Sequence, residues 1–143
     1  MNWWLPAREI FTCRAYLAPF CVRLTDGDEK NNEEIKSVVE PDITIVCDKN
    51  KIDEKGCNGT PDLIVEVLSP SSIRHDRVTK FNKYEKAGVK VYLVVEPDQK
   101  LVSVFTLSEG KYGRLEMYDA EDKIKVSIFS DLEIDLKPVF DNI

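Results

Sequence analysis

At 143 residues, 43% of them hydrophobic, the chain is the size of one ordinary domain and can bury a substantial core. Its apolar runs, such as Ile43–Val46 and Leu63–Val65, stop far short of the roughly 20 residues a membrane-spanning helix needs, which excludes that class. The formal charge of -6 argues against a surface that coats nucleic acid indiscriminately, although residues 71 to 90 carry six basic side chains against two acidic ones.

The amino terminus, Met1 to Pro6, has no basic start, extended apolar stretch or small-residue cleavage site, so no signal peptide is expected and a cytoplasmic location follows. Residues 11 to 24 mix aromatic and β-branched residues around Pro19 and predict two short extended segments. Thr25 to Lys36, rich in Asp, Asn, Glu and Lys without periodicity, reads as a solvated loop. A strand entered through Pro41 runs to Cys47; Asp53 to Thr60, with two glycines, is expected to loop into a second strand, Asp62 to Leu68, beside the first. The hydroxyls of Ser69 to Ser72 then offer caps for a helix from about Ser72 to Ala87, with Val78, Phe81 and Tyr84 as its apolar face and Gly88 as its stop. Val89 to Glu96 and Leu101 to Leu107 read as a hairpin, followed by strands near Leu115 to Tyr118, Lys123 to Ile128 and Leu132 to Leu136. Strands, one helix, then more strands make an α/β or α+β sheet with the helix packed on one face.

The four cysteines form no close pair and there is one histidine, so structural zinc is not expected. In a reducing cytosol all four are expected to be thiols, with Cys47 a small buried hydrophobe at a strand end.

Chemistry concentrates on the second strand. Side chains alternate along a strand, so Asp62, Ile64, Glu66 and Leu68 share one face, and Glu66 is a charge inside a buried-looking strand. Isolated burial of a carboxylate costs about several kcal/mol, so Glu66 must be paired, protonated or metal-bound. Asp42, just inside the neighbouring strand, could bring a second carboxylate to the same place. Two carboxylates from adjacent strands suit a hard cation such as magnesium, which takes oxygen ligands and keeps water, and a nearby lysine would add a donor for the attacking water. Lys80 is the candidate, since Asp76, Lys80 and Tyr84 recur every four residues on a stripe flanking the apolar face of the helix. A structural Glu–Lys ion pair is the competing reading. His75, Asp76 and the nearby serines lack the turn a hydrolase triad requires, and Asp48 to Asp53 lacks the glycine of a calcium loop. Asp62 is left with two roles, orienting a metal site or capping its loop. Arg74, Arg77, Lys83 and Lys86 are candidate phosphate contacts, or simply a solvated face.

Pro41-Asp42, then Pro61-Asp62-Leu-Ile-Val-Glu66-Val-Leu-Ser69-Pro70, then Asp76, Lys80 and Tyr84 at four-residue steps, and Tyr92 to Pro97, together resemble the Uma-type restriction endonuclease family, a branch of the PD-(D/E)XK superfamily. The resemblance runs from about Phe11 to the carboxyl end. It implies a restriction-endonuclease-like mixed β-sheet with a packed helix plus C-terminal antiparallel strands, in one domain over 1–143 that is short at its amino end. It also implies an endonuclease that hydrolyses DNA with magnesium or manganese, with Asp42 and Glu66 as metal ligands and Asp42, Glu66 and Lys80 as catalytic residues. In the superfamily motif the lysine lies two residues beyond the glutamate; here that position is Leu68, and the lysine maps onto the helix as Lys80. Similar sequences carry an Asp where Cys21 stands, and begin with a further helix that lends an acidic residue. The alternative is a catalytically inactive nucleic-acid-binding or interaction module that retains the fold. Nucleases that cut both strands commonly act as dimers, so the resemblance leaves a homodimer open, while the sequence itself does not set the oligomeric state.

Overall fold

A computed structural model describes residues 13–25, 37–72, 74–129 and 132–141. The expected polar loop between Thr25 and Lys36 lies almost wholly outside the described residues, as do Trp3 and Trp4.

The two extended segments around Pro19 are β1 (Arg14–Leu17) and β2 (Val22–Leu24), followed by β3 (Ser37–Val39) and β4 (Ile43–Val46). The segment expected to be a plain loop is more ordered. After a 3-10 turn over Lys49–Lys51, β5 (Ile52–Asp53) and β6 (Gly56–Asn58) form a small hairpin, and β6 also runs parallel to β2. Gly56 makes this possible: its φ is +126°, and a Cβ there would stand 2.1 Å from the Cys21 carbonyl oxygen. Sequence reading sees two glycines and infers a turn, whereas one of them serves a close strand approach.

Next come β7 (Leu63–Val67), α1 (Arg74–Ala87), β8 (Val91–Glu96), β9 (Leu101–Ser108), β10 (Lys111–Asp119), β11 (Lys123–Lys125), β12 (Glu133–Asp135) and α2 (Leu136–Asp141). The main sheet has the order β1-β4-β7-β8-β9-β10, antiparallel except where β7 and β8 run parallel across α1. A parallel neighbour cannot be reached by a tight turn, and α1 is the crossover that reaches it.

Alternation along the central strands divides the core by face. Ile43, Ile45, Leu63, Val65, Leu93 and Val104 pack against Ile124, Phe129, Ile134 and Phe140 of the C-terminal segment. Ile64, Tyr92 and Val94 point the other way, toward Tyr84 of α1 and toward Val22, Leu24 and Cys57 of the smaller four-stranded sheet, whose order is β3-β2-β6-β5. The expected strand over Leu132 to Leu136 therefore ends at Asp135, and Leu136 opens a short helix that covers the sheet.

Helix α1 ends as expected. Val89 N–H donates to the Tyr84 carbonyl and Gly88 N–H to that of Glu85, both at 3.1 Å, with Gly88 at φ +86°. This paired closure needs a left-handed residue just past the helix. Gly88→Ala is expected to destabilise the protein by about 1–2 kcal/mol, read as a lower urea midpoint at unchanged m-value.

Two expectations fail. Val78 is 51% exposed: at about 100° per residue it lies roughly 120° around α1 from Tyr84, whereas Arg77 and Lys80 fall within about 40° of it. Of the expected apolar trio, Phe81 and Tyr84 do pack against the aromatic cluster on the sheet, and only Val78 is turned away. The cysteines are not all thiols either, because Cys13 and Cys47 form a disulfide across 34 residues. Cys13 precedes β1 and Cys47 follows β4, and the register that pairs Arg14 with Val46 brings the two cysteines opposite each other on the next rung. Close spacing in sequence is no guide to pairs that sheet register creates.

Cys21 and Cys57 remain free. Burial pushes the Cys57 thiol up to about 11, and its Sγ donates to the Gly59 carbonyl at 3.4 Å. Relative to an ordinary thiol at 9.0, the thiolate at pH 8 is about 100-fold rarer, so Cys57 is expected to resist iodoacetamide in the native state and react only with unfolding, as peptide mass mapping would read.

Candidate active site

Glu66 sits in the middle of β7, where neighbours on both sides hold the backbone and leave the carboxylate 4% exposed. It is paired, as burial demands. Lys80 Nζ lies 2.7 Å from Oε2, the Tyr84 hydroxyl donates to the same oxygen at 3.3 Å, and the Asp42 amide donates to Oε1 at 3.3 Å. Lys80 and Tyr84 stand one turn apart on α1, so the stripe read from the sequence does lean onto the strand glutamate.

Asp42 enters from β4, which pairs antiparallel with β7 so that Ile43 faces Val65. Its Oδ2 accepts the Val67 amide at 2.7 Å, which fixes the carboxylate beside the end of β7 and next to Glu66. Pro41 is fully buried before it. Three elements thus bring Asp42, Glu66 and Lys80 to one place. The pair is asymmetric in its access to solvent: the Lys80 side chain is 45% exposed and that of Glu66 only 5%. The cluster is closed toward the core and open on the helix side.

Tyr84 is the residue that sequence reading does not place in the site. It is fully buried and meets Tyr92 edge-on at 4.9 Å. Burial first, then the Glu66 charge, raises its pKa well above the ordinary phenol range, so it stays a hydroxyl donor at every physiological pH. Its four-residue spacing from Lys80 is the available signal.

Other singled-out residues fall elsewhere. Asp62 shares the strand face of Glu66, yet its Oδ2 accepts the Cys47 amide at 2.7 Å and its Oδ1 lies 3.4 Å from Lys90 Nζ, so it secures strand ends. His75 and Asp76 are exposed on the first turn of α1. Arg77 pairs with Glu96 at 3.6 Å; Arg74 and Lys86 are exposed and Lys83 is half-buried. Among the described residues no group of three or more His, Cys, Asp or Glu side chains is placed to hold a metal ion, so Asp42 and Glu66 are an acidic pair without a third such ligand. No described helix is long and apolar enough to cross a membrane.

The family model Uma2, described as "Putative restriction endonuclease", matches residues 2–137. An uncharacterised protein of Synechocystis, slr1290, is 28% identical over 116 residues, covering 75% of this chain and 61% of that protein; the chain thus spans less than two thirds of the length of this curated relative. Among solved structures, one described as a "putative nuclease belonging to DUF820" from Anabaena variabilis superposes with a TM-score of 0.70 at 22% identity, covering 97% of this chain and 74% of the other. That likeness bears on the fold, which is of the restriction-endonuclease-like mixed-sheet type.

Proposed function

Because the chain belongs to the Uma2 restriction endonuclease family, we propose that it is a metal-dependent endonuclease that hydrolyses phosphodiester bonds in DNA. The observation that carries this reading is the convergence of Asp42, Glu66 and Lys80, from β4, β7 and α1, on one half-open cluster. A purely structural ion pair has no need of the second carboxylate, nor of an open side.

The donor set fits a hard divalent cation. Magnesium is commonly held by one or two carboxylates with water and phosphate completing the shell, and Asp42 with Glu66 supplies that number. When bound, such a cation supplies a Lewis acid and lowers the pKa of a coordinated water. The protein's own side chains do the rest. Lys80 brings a positive charge and donors to the edge where a scissile phosphate would lie, and can orient the attacking water. Tyr84 and the Asp42 amide hold the Glu66 carboxylate in place before substrate arrives, so that no reorganisation is needed during attack.

A second reading, a binding module without turnover, is favoured by the absence of a third acidic ligand among the described residues. Plasmid cleavage separates the two. The native chain is expected to nick or linearise plasmid with magnesium or manganese, and to stop when chelator is added. If the native protein is inert while it still binds manganese by calorimetry, the binding-module reading replaces the nuclease. Nicks alone would indicate that a single copy acts on one strand, and linear product that a second copy assembles on the duplex.

A further inference from the structure

On the helix side of the Lys80–Glu66 pair the surface opens into a cavity of about 260 Å³ between the amino-terminal half of α1 and strands β8 and β9. Tyr92, Phe105 and Leu68 form its walls, Val78 stands at its rim, and Arg77 and Lys80 flank it. An apolar cavity of about 150 Å³ is enough to admit benzene, so this one has room for a one- or two-ring planar group but not for an extended ligand.

Two features set it apart from a packing gap. The first is its aromatic wall: Tyr92, 3% exposed, stacks on Phe105 with ring centroids 5.8 Å apart, and both residues line the cavity. A flat apolar group that enters meets ring faces on which it can pack. The Tyr92 hydroxyl lies within the fields of Glu66 and Arg77, and burial keeps it protonated, so it is a donor. The second feature is the rim. Val78 is a large apolar side chain exposed on a charged helix, where Arg77 and Lys80 outnumber Asp76 along the lining and, although paired with Glu96 and Glu66, keep about half of their side chains open to a ligand that is flat and apolar on its faces and anionic at its edge.

We infer that this cavity receives one nucleobase, unstacked from its strand, whose flanking phosphate lies across Arg77 and Lys80 at the catalytic cluster. The choice of nucleic acid rests on the nuclease reading above. The base packs against Phe105 and the edge of Tyr92, accepts a hydrogen bond from the Tyr92 hydroxyl and is covered by Val78. A base inside an intact duplex cannot reach such a site without being flipped out, so single strands or locally unpaired segments are the preferred substrate.

Binding is tested without turnover, in chelator and at one fixed salt concentration, with oligonucleotides carrying 2-aminopurine either as single strands or within duplexes of equal length. The single strand is expected to bind roughly fivefold or more tightly than the duplex, in line with aromatic stacking of one base. Val78→Trp, which fills the rim from an exposed helix position, is expected to abolish that preference. Tyr92→Phe is expected to weaken single-strand binding severalfold while duplex binding and the native fold are kept, because it removes a donor from the cavity and leaves the ring. Equal affinity for both forms, or a preference that survives Val78→Trp, overturns the base site. Unchanged single-strand binding in Tyr92→Phe overturns the hydroxyl's role in it. Plasmid cutting without a strand preference overturns this inference alone, whereas an inert plasmid with the preference intact overturns the nuclease reading alone.

Discussion

Lys80→Ala is expected to lower the rate of metal-dependent plasmid cleavage by about 10²–10⁴-fold, the range for removing a positioned proton donor or a charge aimed at the transition state. The fold should survive the change at a lowered midpoint. Removing one partner of a fully buried pair costs about 3–5 kcal/mol, and the half-exposed Lys80 places this pair below that range while Glu66, 5% exposed, still loses its cation. Glu66 keeps the Tyr84 hydroxyl and the Asp42 amide. Asp42→Asn provides the matching test from the other carboxylate. An asparagine oxygen can still accept the Val67 amide, so the local backbone is preserved while the negative charge a cation requires is lost. Cleavage in both variants at the native rate would remove these residues from the mechanism. Cleavage lost in both, at a temperature where each variant is fully folded, is the expected outcome.

The largest stability effect is expected at Tyr84. Truncation to alanine removes a fully buried ring that packs on Tyr92 and belongs to the core on the helix side of the sheet, and is expected to cost about 3–5 kcal/mol by urea denaturation. Tyr84→Phe keeps the ring and loses only the donor to Glu66, so a cost of about 0.5–2 kcal/mol is expected. The contrast separates packing from positioning. A phenylalanine variant as unstable as the alanine one would mean that the hydroxyl, and not the ring, secures the fold at this position. Since burial and the Glu66 charge hold this phenol far above its ordinary range, no tyrosine ionisation should appear in the pH profile of cleavage at neutral pH.

Much of the central architecture is legible in the sequence because it depends on local rules. Alternation along Asp62 to Leu68 identifies the strand and isolates Glu66 as a buried charge, and the Gly88 stop is visible in the residue type itself. The Lys80 placement follows from four-residue spacing, aided by the family resemblance, since spacing alone equally allows an ordinary ion pair. What escapes reading is set by register and by tertiary contact. Nothing within Cys13 or Cys47 reveals that the β1–β4 ladder brings them together. The β5–β6 hairpin depends on Gly56 meeting Cys21 from a distant strand. Val78 has the apolar character of a core residue, but the rotation between residues 78 and 84 carries it away from the sheet. Tyr84 packs beside Phe81 as a core aromatic would, and nothing in that role reveals that its hydroxyl meets Glu66.

The unequal exposure of the cluster orders the way it could erode in descendants. Glu66 and Tyr84 are tied to each other and to the core, so a lineage that loses either must repack the sheet at the same time. Lys80 reaches the cluster from the solvent side and can drift to a neutral residue at less structural expense than either of them. A lineage released from selection for cleavage should therefore shed the lysine first and carry the glutamate and tyrosine long afterwards, as a fossil of chemistry that the fold has made its own.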